Sequence, residues 1–146
     1  MPSTETATRP TTTSPTLHWA VRIVGAALLL AMGLLHLKLW NDGYRDVQWI
    51  GPLFMANAVL GGLGAVAVLG APSRRLPWVA VLGGLLEIGT LLGLVLSLTV
   101  GLFGFHETWG GLVLPTVLVE AAGFLVLFGY GASALLPGLR ERRAFS

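Results

Sequence analysis

Four long apolar runs separated by short polar breaks make up most of the chain, and none of them alternates with a period of two. They span about Trp19–Trp40, Trp49–Gly70, Trp78–Phe103 and Gly111–Leu136. At a rise of about 1.5 Å per residue, each reaches across the roughly 30 Å of a bilayer's hydrocarbon, so each reads as a transmembrane helix. A barrel would show shorter segments with alternating polarity. Trp19, Trp40, Trp49, Trp78 and Trp109 all fall at run ends, where an amphipathic ring suits the headgroup layer. Pro52 and Pro115 fall in first turns, where a missing N–H costs little. Pro72, Pro77 and Pro137 are expected to mark loops or a helix stop. The predicted fold is all-α: a polytopic membrane protein built as a four-helix up-down bundle over residues 18–137.

Residues 1–17 are rich in Thr, Ser and Pro. They have little to bury against their ordering entropy, and a disordered tail is expected there. The first apolar run lacks a small-x-small cleavage site, so this helix is expected to be retained. Residues 138–146 form a basic tail. Arg9, Arg22, Arg74, Arg75, Arg140, Arg142 and Arg143 share one side of the predicted topology, against Lys38 and Arg45 on the other. This asymmetry predicts a plasma (inner) membrane protein with both termini cytoplasmic and loops 41–48 and 104–110 outside.

Composition narrows the function. With 54% hydrophobic and 11% charged residues, the chain is not an ordinary soluble domain. A net charge of +2 with no basic face excludes nucleic acid as a partner and leaves the lipid bilayer. The absence of cysteine removes thiol catalysis, thiolate metal sites and disulfides.

Ionisable groups are costly in hydrocarbon, so the few present carry the most information. At 100° per residue, His36 shares a face with Arg22, Gly25, Leu29 and Gly33, and Asn57 with Phe54, Gly61 and Gly64. Glu87 lies with Gly83, Gly84 and Thr90, and Glu120 with Thr116, Gly123 and Leu127. Each polar residue therefore stands among small residues that let helices approach, and the four faces are expected to meet. Counting residues from the span ends puts His36 about 6 Å deep, Asn57 about 12 Å, and both glutamates near the midplane. Two readings follow: hydrogen-bonding glue, or a binding or proton site opening outward. Glu87 and Glu120 are expected to face each other and not both to be ionised. Arg22, one turn inside the first helix, is expected to snorkel to the cytoplasmic headgroups, with a pairing to Glu87 as the alternative.

The outward loops hold a second cluster: Tyr44, Arg45, Asp46, His106 and Glu107. Together with His36 it raises the question of a metal or haem, yet no ligand spacing is specific and solvated loop residues are the preferred reading. No nucleophile elbow, phosphate loop or other catalytic template is present. Gly89 and Gly93 head a small-residue ridge on the third helix that points away from Glu87. It suggests an oligomer interface, in a homodimer or a larger membrane complex.

Through Gly33-Leu34-Leu35-His36-Leu37-Lys38-Leu39-Trp40, Gly43-Tyr44-Arg45-Asp46 and Gly101-Leu102-Phe103-Gly104-Phe105-His106-Glu107-Thr108, set in four short-looped helices, the chain resembles the small four-helix bacterial membrane proteins of the DoxX-like type. Some of these are linked to quinone or thiol redox chemistry, and the lack of cysteine weakens the thiol side. Two functions are therefore expected from the sequence. One is a non-enzymatic bundle without a cofactor, acting as an accessory subunit or as a small-molecule or proton-binding module. The alternative is a redox protein holding haem or quinone near His36.

Overall fold

The computed structural model describes residues 15–144, with side chains as far as residue 136. The expected tail over 1–14 and the side chains of the basic tail lie outside the described residues. The chain forms α1 (Pro15–Asn41), a single 3-10 turn (Tyr44–Asp46), α2 (Ile50–Gly70), α3 (Leu76–Thr99) and α4 (Val113–Ala144). All four helices are long and apolar enough to cross a membrane, and they run up and down in chain order. The all-α four-helix bundle is thus the observed fold. We call the end carrying the α1–α2 and α3–α4 loops the hairpin end, and the opposite one the terminal end.

The boundaries depart from expectation where backbone conformation intervenes. α1 starts at Pro15 rather than Trp19, because proline is tolerated in a first turn. For the same reason Pro77 lies in the first turn of α3 instead of the loop before it. Pro137 does not stop α4, which continues to Ala144. An interior proline forfeits one backbone hydrogen bond, and here that loss does not end the helix. α3 ends at Thr99, short of Phe103, because Phe103 and Gly104 take positive φ of 51° and 80° and fold the chain into a tight turn closed by a Leu102–Phe105 bridge. Gly110 and Gly111, also at positive φ, delay α4 to Val113.

Two helical hairpins make up the bundle. α1 and α2 cross so closely at Gly33 and Gly61 that a Cβ on Gly61 would stand 2.6 Å from the Leu29 carbonyl oxygen. α3 and α4 are joined as tightly, with Gly84 against the Phe128 backbone and Gly131 against the Pro77 carbonyl. The hairpins dock mainly through α1 on α4, whereas α2 and α3 touch little although they are consecutive. Their shared core lies toward the terminal end. There Leu29 and Leu127, both fully buried, pack on Gly83, Leu29 also reaches Gly64, and Leu127 reaches Gly25. Val68, Leu76 and Ala80 complete this apolar plug.

The bundle exterior is apolar along its length, with Leu30, Leu63, Leu82 and Leu118 among the exposed side chains. Such a surface suits lipid, not water. Trp19, Trp49, Trp78 and Trp109 are exposed near helix ends, as interfacial anchoring requires.

Candidate functional site

Above the plug, toward the hairpin end, the two hairpins part and enclose a cavity of about 890 Å³. That is at the upper end of the range for small-molecule sites, about 300–1,000 Å³. His36, Asn57 and Glu120 line it from three different helices. Three of the four polar residues read from the sequence therefore border one open space, and Glu87 does not.

His36 is buried, and its Nδ1 donates to the Met32 carbonyl at 3.0 Å. A carbonyl only accepts, so this bond assigns the proton to Nδ1 and leaves Nε2 as the free acceptor of the neutral ring. Nε2 lies 3.8 Å from Oε1 of Glu120. The expected depth ladder, with His36 near the surface and Glu120 at the midplane, is corrected here. α1 runs on to Asn41 and α4 begins only at Val113, which brings the two residues level.

Glu120 is fully buried, and neither of its carboxyl oxygens has a hydrogen-bond partner. Thr90 stands beside it, but the Thr90 hydroxyl points back to the Glu87 carbonyl at 2.8 Å. Ser97 and Thr116, on either side of the cavity, are also buried with unpartnered hydroxyl oxygens. Polar atoms this deep are ordinarily satisfied, so three residues with orphan atoms lining one space point to that space as a site.

Glu87 does not line the cavity. Its carboxyl lies behind the wall, between α3 and α4, against the bare Cα of Gly123, where a Cβ would come within 2.5 Å of Oε1. It too is fully buried and unpartnered, close enough to Glu120 for the two charges to interact.

A roof covers the hairpin end of the cavity. Tyr44 stacks on Phe54 with ring centroids 5.0 Å apart and meets Phe105 edge-on at 5.6 Å. Its hydroxyl donates to Glu107 at 2.6 Å, tying the α1–α2 loop to the α3–α4 loop. Burial pushes the Tyr44 phenol up to about 12, and the Glu107 hydrogen bond and negative charge act in the same direction. Phe54 in turn meets the His36 ring edge-on at 5.2 Å, so roof and site form one contact chain. The Glu107 amide donates to the Ser97 carbonyl and anchors the roof to α3.

The remaining loop residues divide. Arg45 and Asp46 pair with each other at 3.4 Å on the exposed surface and take no part in the cavity. Lys38 and Asp42 pair at 2.7 Å on its rim. His106 lies over Gly101, where a Cβ would be 2.6 Å from its Nε2, and it is not part of the cavity wall. The two histidines therefore do not converge, and among the described residues no three His, Asp or Glu side chains form a metal-binding group.

Arg22 differs from expectation. It neither snorkels nor pairs with Glu87. Its guanidinium, 8% exposed, donates to the carbonyls of Val68 at 2.9 Å, Leu69 at 2.7 Å and Ala71 at 2.5 Å. These are last-turn carbonyls of α2 and the residue that follows it, some of which have no partner within the helix. A planar cation with several donors caps them from the neighbouring helix. Gly89 and Gly93 line the cavity on its α2–α3 side, and a Cβ on either would meet nothing within 4 Å.

Sequence reasoning located His36, Asn57 and Glu120 but gave no site role to Ser97, Thr116, Phe54 or Phe105. Thr116 and Phe54 were visible as neighbours on the polar faces, and Ser97 as part of the small-residue ridge. Phe105 carried no signal, because its place depends on the positive-φ turn.

No family model, no curated protein and no solved structure matches the chain. The site is interpreted from its own chemistry.

Proposed function

We propose that this protein is a multi-pass inner-membrane protein that binds a small molecule in the cavity between its two hairpins, on the outward half of the membrane. The observation that carries this reading is that Glu120, Ser97 and Thr116, whose buried polar atoms have no hydrogen-bond partner, all line one 890 Å³ space. If these residues served only as glue, they would bond to one another across a closed interface. Instead α2 and α3 stand apart at this level, and the two hairpins pack closely at the apolar plug below. The plug also favours binding over conduction, since Leu29, Leu127 and Val68 pack there as fully buried apolar side chains. His36 and Glu120 can hold a proton between them or take one from the bound molecule, and Asn57 offers both a donor and an acceptor.

Native mass spectrometry of the protein released from lipid nanodiscs tests this reading. The wild type should retain a bound mass that disappears in Gly93→Phe, which sets a ring on a cavity-lining position where a Cβ meets nothing within 4 Å, and persists in Gly62→Ala, where an added Cβ also meets nothing within 4 Å. A wild-type protein free of any adduct, or an adduct unaffected by Gly93→Phe, would overturn it. Haem or quinone as the occupant would give an absorption spectrum that changes on reduction.

A further inference from the structure

Resting on the binding reading above, we infer that the occupant is a lipophilic cation, with an apolar body and a positively charged head, and that it reaches the cavity from the lipid through the gap between α2 and α3. The first observation is the charge balance. From the midplane to the hairpin end the carboxyl groups are Asp42, Asp46, Glu87, Glu107 and Glu120, and the only lysine and arginine are Lys38 and Arg45. Both of these cations are already spent in exposed pairs with Asp42 and Asp46. Glu87, Glu107 and Glu120 have no lysine or arginine partner among the described residues. Of these, Glu107 and Glu120 line the cleft, and a low-dielectric cleft with an excess of one sign of charge concentrates the opposite sign.

The second observation is independent of charge. Glu120, a completely buried residue of the cavity wall, holds two carboxyl oxygens without a hydrogen-bond partner. Two open acceptors at a carboxyl call for a donor or a cation, and an anionic head there would add repulsion to desolvation. Nearer the hairpin end, the aromatic faces of Tyr44 and Phe54 line the same space and can attract a cation further.

The route follows from the shape. At the hairpin end the Tyr44–Glu107 bond and the Phe54–Tyr44–Phe105 ring contacts tie the two loops together over the cavity, with the Lys38–Asp42 pair on the rim. The α2 and α3 sides of the wall include Leu53, Leu85, Gly89 and Gly93, with Asn57 and Thr90 as the polar members. Leu53 and Leu85 are exposed at 42% and 49% on the membrane-facing surface, and the glycines leave the gap unfilled. An apolar-lined side opening suits a molecule already dissolved in the bilayer.

Tetraphenylphosphonium and tetraphenylborate, which share one shape and carry opposite charge, test the inference on the full chain in nanodiscs, with protein-free nanodiscs as the partition blank. The phosphonium should bind saturably at one site, at least tenfold more weakly to Glu120→Gln, and the borate should show no saturable binding. Gly89→Trp should slow phosphonium association at least tenfold. Equal binding of both ions, failure of the phosphonium to bind, or phosphonium binding indifferent to Glu120→Gln would overturn the cation. An unchanged association rate in Gly89→Trp would overturn the lateral route. These failures leave the binding reading standing if the Gly93-sensitive adduct is present, whereas loss of that adduct as well removes both.

Discussion

Nε2 of His36 lies 3.8 Å from Oε1 of Glu120, with both side chains sealed from bulk solvent. The separation exceeds a hydrogen bond but falls within range of a shared charge. It joins α1 of one hairpin to α4 of the other at the floor of the cavity, so a change at either residue is felt across the bundle. Replacing Glu120 by Gln removes the negative charge and keeps the shape. The expected outcome is near-unchanged thermal stability with weakened binding of a cationic probe, checked by thermal unfolding in detergent alongside a binding titration.

Arg22 should matter for stability although it lies far from the site. Arg22→Met deprives the Val68, Leu69 and Ala71 carbonyls of their donor. Leaving buried polar groups unsatisfied costs about 1–3 kcal/mol. Unfolding titration in sodium dodecyl sulfate should show a loss of that size for Arg22→Met and a smaller one for Arg22→Lys, which keeps the charge but not the planar fork.

The α1–α2 crossing makes a paired prediction. Gly61→Ala places a Cβ 2.6 Å from the Leu29 carbonyl oxygen, while Gly62→Ala meets nothing within 4 Å. Overpacking of this kind costs about 1–3 kcal/mol. The same denaturant titration should therefore separate two adjacent glycines, with Gly61→Ala destabilised and Gly62→Ala close to wild type.

Tyr44 gives a pH prediction at the roof. Its phenol is pushed up to about 12, chiefly by burial and then by Glu107. Because the folded state holds this proton more tightly than the unfolded chain, the contribution to stability is complete below the ordinary tyrosine value of about 10. It is lost as pH rises through 12. With Tyr130→Phe as background, Tyr44 is the only tyrosine left. Its ultraviolet titration should have a midpoint near 12, and Glu107→Gln should lower that midpoint.

The four helices, their polar faces and the tryptophan-marked ends were legible in the sequence because lipid imposes a coarse rule on long apolar runs. Three features were not. Arg22 reads as a snorkelling residue from its position in α1, since nothing local reveals that the end of α2 lies within its reach. The level meeting of His36 and Glu120 depends on where the helices begin and end, which Gly110 and Gly111 decide through positive φ. The Gly89–Gly93 ridge read as a contact surface because small residues imply close packing. Within the chain the same glycines also line the cavity, which only the relative placement of α2 and α3 reveals.

Orientation rests on the arginine bias, and reporter fusions check it. Fusions at residue 73 and at the C-terminus should report cytoplasm, and one at residue 44 the outside. A cytoplasmic signal at residue 44 would place the cavity on the inward half.

The central claim is that the space between the hairpins is a binding site, and a density map of the protein in lipid nanodiscs tests it most directly. The account predicts ordered non-protein density bounded by His36, Asn57 and Glu120, with α2 and α3 held apart at Asn57 and Thr90. A map in which α2 closes onto α3, Asn57 hydrogen-bonds directly to Thr90 or Glu120, and no space remains between them would contradict it.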